Sequence, residues 1–286
     1  MAKRSTGFAV IAGVYAVAGL AGWAVMADTP ISLEITFYAD IVATIVVFAG
    51  SMIVNNASVY DPYWSVAPAV IVIVWAAGDL GAREIAVLVL MLIWAIRLTA
   101  NWALSWRGLG HEDWRYTRLR SAGTPWWLVN LVGIQLVPTL VVFGGLLPVW
   151  PAMTVTGRSF HALDVVAVLV TAGAILIEAT ADRQLHRFAR EPGNRGRIVD
   201  RGLWRYSRHP NYLGEILFWW GMWLFGVAAA PDRWWTVIGP VVVVLLFLFV
   251  SVPMMDRRSL ERRPAYAEYM RRVPALLPAK WIDRGV

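Results

Sequence analysis

Long apolar runs separated by short polar stretches set the character of the chain. They lie near 7–26, 34–55, 65–78, 85–105, 126–150, 162–181, 212–229 and 235–255. The hydrocarbon core of a bilayer takes about 20 residues of helix, so runs of that length with few charges read as transmembrane helices. The third run is short for a full span and reads as tilted, broken or re-entrant. The pattern predicts an all-α fold, a polytopic transmembrane helix bundle of about 7–8 spans. No internal repeat, low-complexity tract or soluble linker interrupts it, and residues 1–286 read as a single membrane domain.

The basic residues give this bundle an orientation. Lys3 and Arg4 precede the first run. Arg107, Arg115, Arg118 and Arg120 follow the fourth, and eight arginines from Arg183 to Arg208 follow the sixth. A further basic group, Arg257 to Arg284, follows the last run. The alternate connections near 27–33, 79–84, 151–161 and 230–234 are poor in Lys and Arg. Eight spans with both termini inside place every basic loop in the cytosol. The start Met-Ala-Lys-Arg followed by an apolar run mimics a signal peptide, but with many spans behind it the segment reads as an uncleaved first helix.

Composition narrows the chemistry. The sequence is 58% hydrophobic, above the usual range of soluble domains. Its net charge of +7 sits in loops between apolar runs, which is membrane topology rather than a nucleic-acid surface. There is no cysteine, hence no disulfide framework, thiolate nucleophile or cysteine metal site. His111, His161, His186 and His209 are scattered and form no metal set. No Rossmann, Walker or H-E-x-x-H pattern occurs.

Four polar clusters remain. Glu178 and Asp182 stand four apart, on one helix face at the end of an apolar run, a depth at which ionisable groups usually face a protein interior or a wet cavity. Snorkelling at the interface is the alternative. The stretch from Arg187 and Arg190 through Gly193-Asn194-Arg195-Gly-Arg197 is a flexible basic loop suited to phosphate. In Arg205-Tyr206-Ser-Arg208-His209-Pro210-Asn211, Pro210 suits the first turn of a helix whose N-terminus faces arginines, an anion site or a headgroup anchor. Asn211, Glu215 and Trp219 share one face of that helix.

The second pair of clusters lies earlier in the chain. Asn55-Asn-Ala-Ser-Val-Tyr60-Asp61-Pro-Tyr63-Trp64 reads first as a turn with aromatics in the interfacial belt, and otherwise as a cavity lining that hydrogen-bonds a carbonyl. Glu112-Asp113-Trp114-Arg115-Tyr116 reads as a solvated loop of mixed charge, with closure over a ligand as the alternative. The tail Arg257 to Arg272 reads as an amphipathic basic helix, lying on the membrane or adding Arg257 or Arg258 to a phosphate site.

These residues resemble the steroid 5-alpha-reductase family, and its bacterial branch most closely. The resemblance covers roughly residues 50–280 and is strongest from Glu178 to Pro278. It rests on Gly202-Leu-Trp, Arg208-His-Pro-Asn-Tyr-x-Gly-Glu215 and Tyr266-x-x-Tyr269, with Asp61-Pro-Tyr-Trp64 and Glu112-Asp-Trp-Arg-Tyr116. It implies an NADPH-dependent membrane enzyme that transfers hydride to a carbon–carbon double bond conjugated to a ketone in an apolar, steroid-like or lipid substrate. Residues 1–150 would enclose that substrate and residues 151–286 the cofactor, facing the cytosol of a bacterial inner membrane.

By motif, the cofactor set is Glu178, Asp182, Arg187, Arg190, Asn194, Arg195, Arg197, Tyr206, Arg208, His209, Asn211, Glu215, Trp219, Arg257 and Arg258. Asn211 and Glu215 match the pair that holds the nicotinamide amide. Animal members use a Glu and a Tyr from two helices to hold the ketone. Asp61 falls near that Glu, but run 85–105 has no Tyr, and Tyr60 or Tyr63 takes the donor role beside Asp61. Arg-His-Pro-x-Tyr-x-Gly also resembles membrane methyltransferases of the isoprenylcysteine type, which use S-adenosylmethionine. A lipid-binding or scaffold protein without enzymatic activity is the third reading. Membrane lipids are expected partners, and nothing in the sequence sets the oligomeric state.

Overall fold

The computed structural model describes residues 4–121 and 123–277. Among them every regular element is helical and there is no strand. Eight helical segments are long and apolar enough to cross a bilayer, which makes this an integral multi-pass membrane protein. Two compact units divide the chain, Met1–Thr156 and Gly157–Val286.

In the first unit, α1 (Arg4–Met26) and α2 (Leu33–Ile53) are joined by a short turn. The Ser32 hydroxyl accepts from the Ile35 N–H at 3.1 Å, which fixes where α2 begins. Asn55 ends that helix in the left-handed region, with φ 51°. A 3₁₀ turn, Ala57–Val59, then leads into α3 (Tyr63–Trp75). Together they make a third span, Ala57–Trp75, of full length. The apolar run beginning at residue 65 falls short of it because Asn56, Ser58 and Asp61 depress the local hydropathy.

After α4 (Ala82–Ser105) comes a seven-residue helix, α5 (Trp114–Arg120), whose first turn is capped by Asp113. The fifth span, Trp126–Leu146, is continuous but not uniform. It starts as α6 (Trp126–Leu128), widens to a π-helix over Val129–Leu136 and returns to α7 (Val137–Leu146). A short α8 (Val149–Thr154) closes the unit. The π segment sits just before Pro138, which has no N–H to give the usual bond and widens the preceding turn.

The second unit opens with α9 (Ala162–Arg190). His161 and Asp164 cap it reciprocally: the Leu163 N–H donates to His161 Nδ1 and the His161 N–H to Asp164. Its 29 residues make a rod of about 43 Å, longer than the hydrocarbon core. The last turns, with Asp182, His186, Arg187 and Arg190, therefore continue as helix where hydropathy alone shows a loop. α10 (Pro210–Ala229) packs antiparallel on α9.

The eighth span, Pro231–Arg262, contains α11 (Ile238–Leu246), a second π segment just before Pro253, and α12 (Val252–Arg262). The tail departs from the expected single amphipathic helix. α12 belongs to the last span, Pro264 interrupts the chain, and α13 (Tyr266–Arg272) is a separate buried-face helix.

Candidate functional site

In the second unit, α9 and α10 approach so closely that glycine is required between them. A β-carbon on Gly214 would lie 2.7 Å from Glu178 Cβ and 2.9 Å from the Ala174 carbonyl oxygen. One on Gly221 would lie 2.1 Å from Thr171 Oγ1. This contact buries two carboxylates, Glu178 and Glu215, each 4% exposed. The indole N–H of Trp219 donates to Glu215 Oε1 at 2.8 Å, one helical turn away. Asn211, half-buried, precedes Glu215 by one turn on the same face, and Asp182 follows Glu178 by one turn on α9. The structure thus assembles Glu178, Asn211, Glu215 and Trp219 on one pair of helices.

Above this pair the loop arginines separate into two kinds. Arg187, Arg190, Arg195, Arg197 and Arg257 are exposed, and Arg258 is half-buried. Arg257 pairs with Glu261 one turn along its own helix. A recess of about 380 Å³ opens between the end of α9 and the following loop, lined by Gln184, Arg187, Phe188, Glu191 and Arg201 among others. Arg201 stacks 5.3 Å from the centre of the Phe188 ring and pairs with Glu191 at 3.2 Å. Asn194 is spent on the turn itself, donating to the Phe188 carbonyl and to Glu191. Tyr206 points outward, 55% exposed.

Arg208 and His209 belong to a different structure from the one expected of them. Both are held by Asp256, a buried residue of α12. Arg208 Nη2 donates to Asp256 Oδ2 at 2.8 Å, and His209 Nε2 lies 2.9 Å from Oδ1. The Tyr266 phenol donates to the same Oδ1 at 2.9 Å. The remaining Arg208 nitrogen, Nη1, donates to the carbonyls of Met270 and Val273. Four of the five guanidinium N–H groups are therefore engaged within the protein, where the sequence suggested a free anion ligand. Backbone bonds from Arg208 to Pro274 and from His209 to Ala275 complete the clasp. Burial, then the Asp256 charge, push the Tyr266 phenol well above its ordinary range, so it stays a donor.

In the first unit, the polar break 55–62 and the loop 109–120 form one interlocked platform. Asn56 donates to the carbonyls of Leu109 and His111, and the Ala57 N–H donates to Glu112. Arg120 grips Glu112 through two nitrogens and lies 3.8 Å from the centre of the Trp126 ring. The loop is thus fastened rather than solvated, and Asn56 to Tyr60 are buried rather than interfacial.

Of the expected trio, Tyr60 and Tyr63 pack together with ring centres 5.5 Å apart, while Asp61 takes other partners. Asp61 accepts from Tyr116 at 2.6 Å, with Arg115 3.8 Å away. Tyr63 donates to Asp40 at 2.8 Å, and Tyr60 bonds Thr139 at 2.8 Å. Asp61, between them in sequence, leaves the turn toward α5 instead. Burial and the Asp61 charge push the Tyr116 phenol well above its ordinary range, which keeps it protonated.

Asp256, Asp40 and Tyr116 were the partners that sequence reasoning did not assign. Asp40 was visible as an acid well inside an apolar run. Asp256 carried no such signal, because arginines surround it and its partners lie 47 and 48 residues away.

Residues 47–273 match the model of a family described as "protein of unknown function (DUF1295)", and the chain belongs to that family. It is also 27% identical over 261 residues to an uncharacterized protein of the fission yeast Schizosaccharomyces pombe, covering 82% of this chain and 76% of that one. No solved structure matches.

Proposed function

We propose that the protein is an NADPH-dependent reductase of the steroid 5-alpha-reductase type, acting on a carbon–carbon double bond conjugated to a ketone in an apolar substrate. The observation that carries this reading is the glycine-tight contact of α9 and α10, which buries Glu178 and Glu215 beside Asn211 under a crowd of exposed arginines. A carboxamide needs acceptors for its N–H₂ group and a donor for its oxygen, and a carboxylate with an amide supplies both. Glu215, its position fixed by Trp219, would accept from the amide, and Asn211 would complete the pair. Arg187, Arg190, Arg195 and Arg197 suit phosphates through charge-assisted bonds, and their surplus favours a 2′-phosphate.

The bound cofactor would supply the hydride; the protein's part is to bind, orient and polarise. In the first unit Asp61 with Tyr60 or Tyr63 would supply the donor to a substrate carbonyl. Removing one such preorganised donor typically costs about 10²–10³ in rate. The arginine-rich side would face the cytosol of a bacterial inner membrane.

The test is ligand-induced thermal stabilisation of the detergent-purified chain with NADPH, NADH and S-adenosylmethionine. NADPH should raise the melting temperature most, and Asn211→Ala and Glu215→Ala should each abolish the shift. Unchanged NADPH binding in both variants overturns the assignment of Asn211 and Glu215, and stabilisation by S-adenosylmethionine alone overturns the reductase reading in favour of a methyltransferase.

A further inference from the structure

The first unit has an apolar cavity of about 110 Å³ between α1, α2 and α3, open to the outside past Trp23 and Val70. Ala18, Gly22, Ala39 and Ala43 are among its small lining residues. Its walls run apolar toward Met26 and Val74, near the α1–α2 turn and the end of α3. At the other end stands Asp40, 8% exposed, beside Tyr63.

A carboxyl group inside a membrane-spanning helix is costly unless its oxygens find partners. Here the partnership is half made. Tyr63 donates to Asp40 Oδ1, and no donor among the described residues reaches the other carboxylate oxygen. The Tyr63 phenol is itself pinned. Its ring packs against Tyr60 and Tyr15, with centres 5.5 and 5.7 Å away. The Tyr63 phenol therefore holds Oδ1 in place and leaves one acceptor open beside the apolar cavity.

We propose that the cavity binds a compact, uncharged, apolar alcohol, whose hydroxyl donates to the open oxygen of Asp40 while its hydrocarbon body fills the space between α1, α2 and α3. A phospholipid fits poorly, since its headgroup belongs at the interface and the polar end here is the deep one. Tyr15, the α1 lining and Asp40 precede residue 47, where the family match begins, and the α3 lining lies within it. The inference does not rest on the reductase reading, because binding is read without cofactor or turnover.

Menthol, menthone and p-menthane share one skeleton and differ in offering a donor, an acceptor or neither. Each is titrated against the full chain in detergent, with thermal stabilisation as the readout. Menthol should bind about tenfold more tightly than the other two, the worth of one hydrogen bond. In Asp40→Asn, Tyr63 keeps the amide oxygen and the amide N–H₂ faces the cavity, so menthol should lose its advantage over menthone. Ala67→Leu, which fills the chamber from a half-buried position, should abolish binding of all three and decides the matter if Asp40→Asn fails to fold. Equal binding of the three compounds by the native chain, or a menthol preference that survives in Ala67→Leu, overturns the proposal.

Discussion

Asp256 holds Arg208, His209 and Tyr266 at once, and its removal would leave a guanidinium buried without its counter-charge. Breaking a buried ion pair from one side typically costs about 3–5 kcal/mol, much of it the cost of the stranded partner. Asp256→Ala should therefore destabilise the protein by about 3 kcal/mol in denaturant unfolding. Arg208→Ala combined with it should cost clearly less than the sum of the two single changes, because the double variant strands no charge. Strict additivity would mean that the three groups do not act as a clasp. The same residue shows why the site was only half legible in sequence. Arg208 and His209 lie in a run whose composition suits phosphate, and nothing local reports that a carboxylate 48 residues on from Arg208 holds both of them. Asn211, Glu215 and Trp219 were legible because one helix at a period of 3.6 residues sets their common face.

At the scale of elements, the tightest constraint is the seam between α9 and α10. Gly214 and Gly221 are seven residues apart on α10, so both face α9 across two turns. Gly214→Ala must move α10 away from the Ala174 backbone and Glu178, and overpacking of this kind typically costs about 1–3 kcal/mol. Gly173→Ala is the control. It lies on α9 with open space around its β-carbon position, so alanine should be neutral or stabilising by up to about 1 kcal/mol. Equal melting temperatures for the two variants would show that the seam is loose. Sequence periodicity found the two helices but not the seam, since a glycine in an apolar run carries the same hydropathy whether it faces lipid or a neighbouring backbone. The ends of α9 were misjudged for a related reason. Hydropathy falls at Asp182 while the helix continues to Arg190, because charge marks the edge of the membrane and not the end of hydrogen bonding.

For the whole molecule, the contacts within each unit supply a check on topology that hydropathy lacks. In the first unit Arg4, at the start of α1, donates to the Ala103 carbonyl near the end of α4. The break at Asn56 bonds the loop at Leu109 and His111. These segments must share one side of the membrane, as alternation of four spans requires only if Ala57–Trp75 is a true crossing. In the second unit the loop at Arg197 and the tail at Arg263 are likewise bonded, as they must be if the last two spans both cross. The basic residues of these segments then predict the cytosolic side. With no native cysteine to remove, single cysteines report the arrangement directly. Ser121→Cys should be protected from a membrane-impermeant maleimide added to intact cells and should react only after permeabilisation. Thr29→Cys and Ser159→Cys, both exposed at the opposite ends of spans, should react from outside. If Ser121→Cys and Thr29→Cys label from the same side, one of the three spans between them, the second to the fourth, does not cross. The third is the one to suspect, because its first turns are polar and stay buried only through the platform built by Asn56, Glu112 and Arg120.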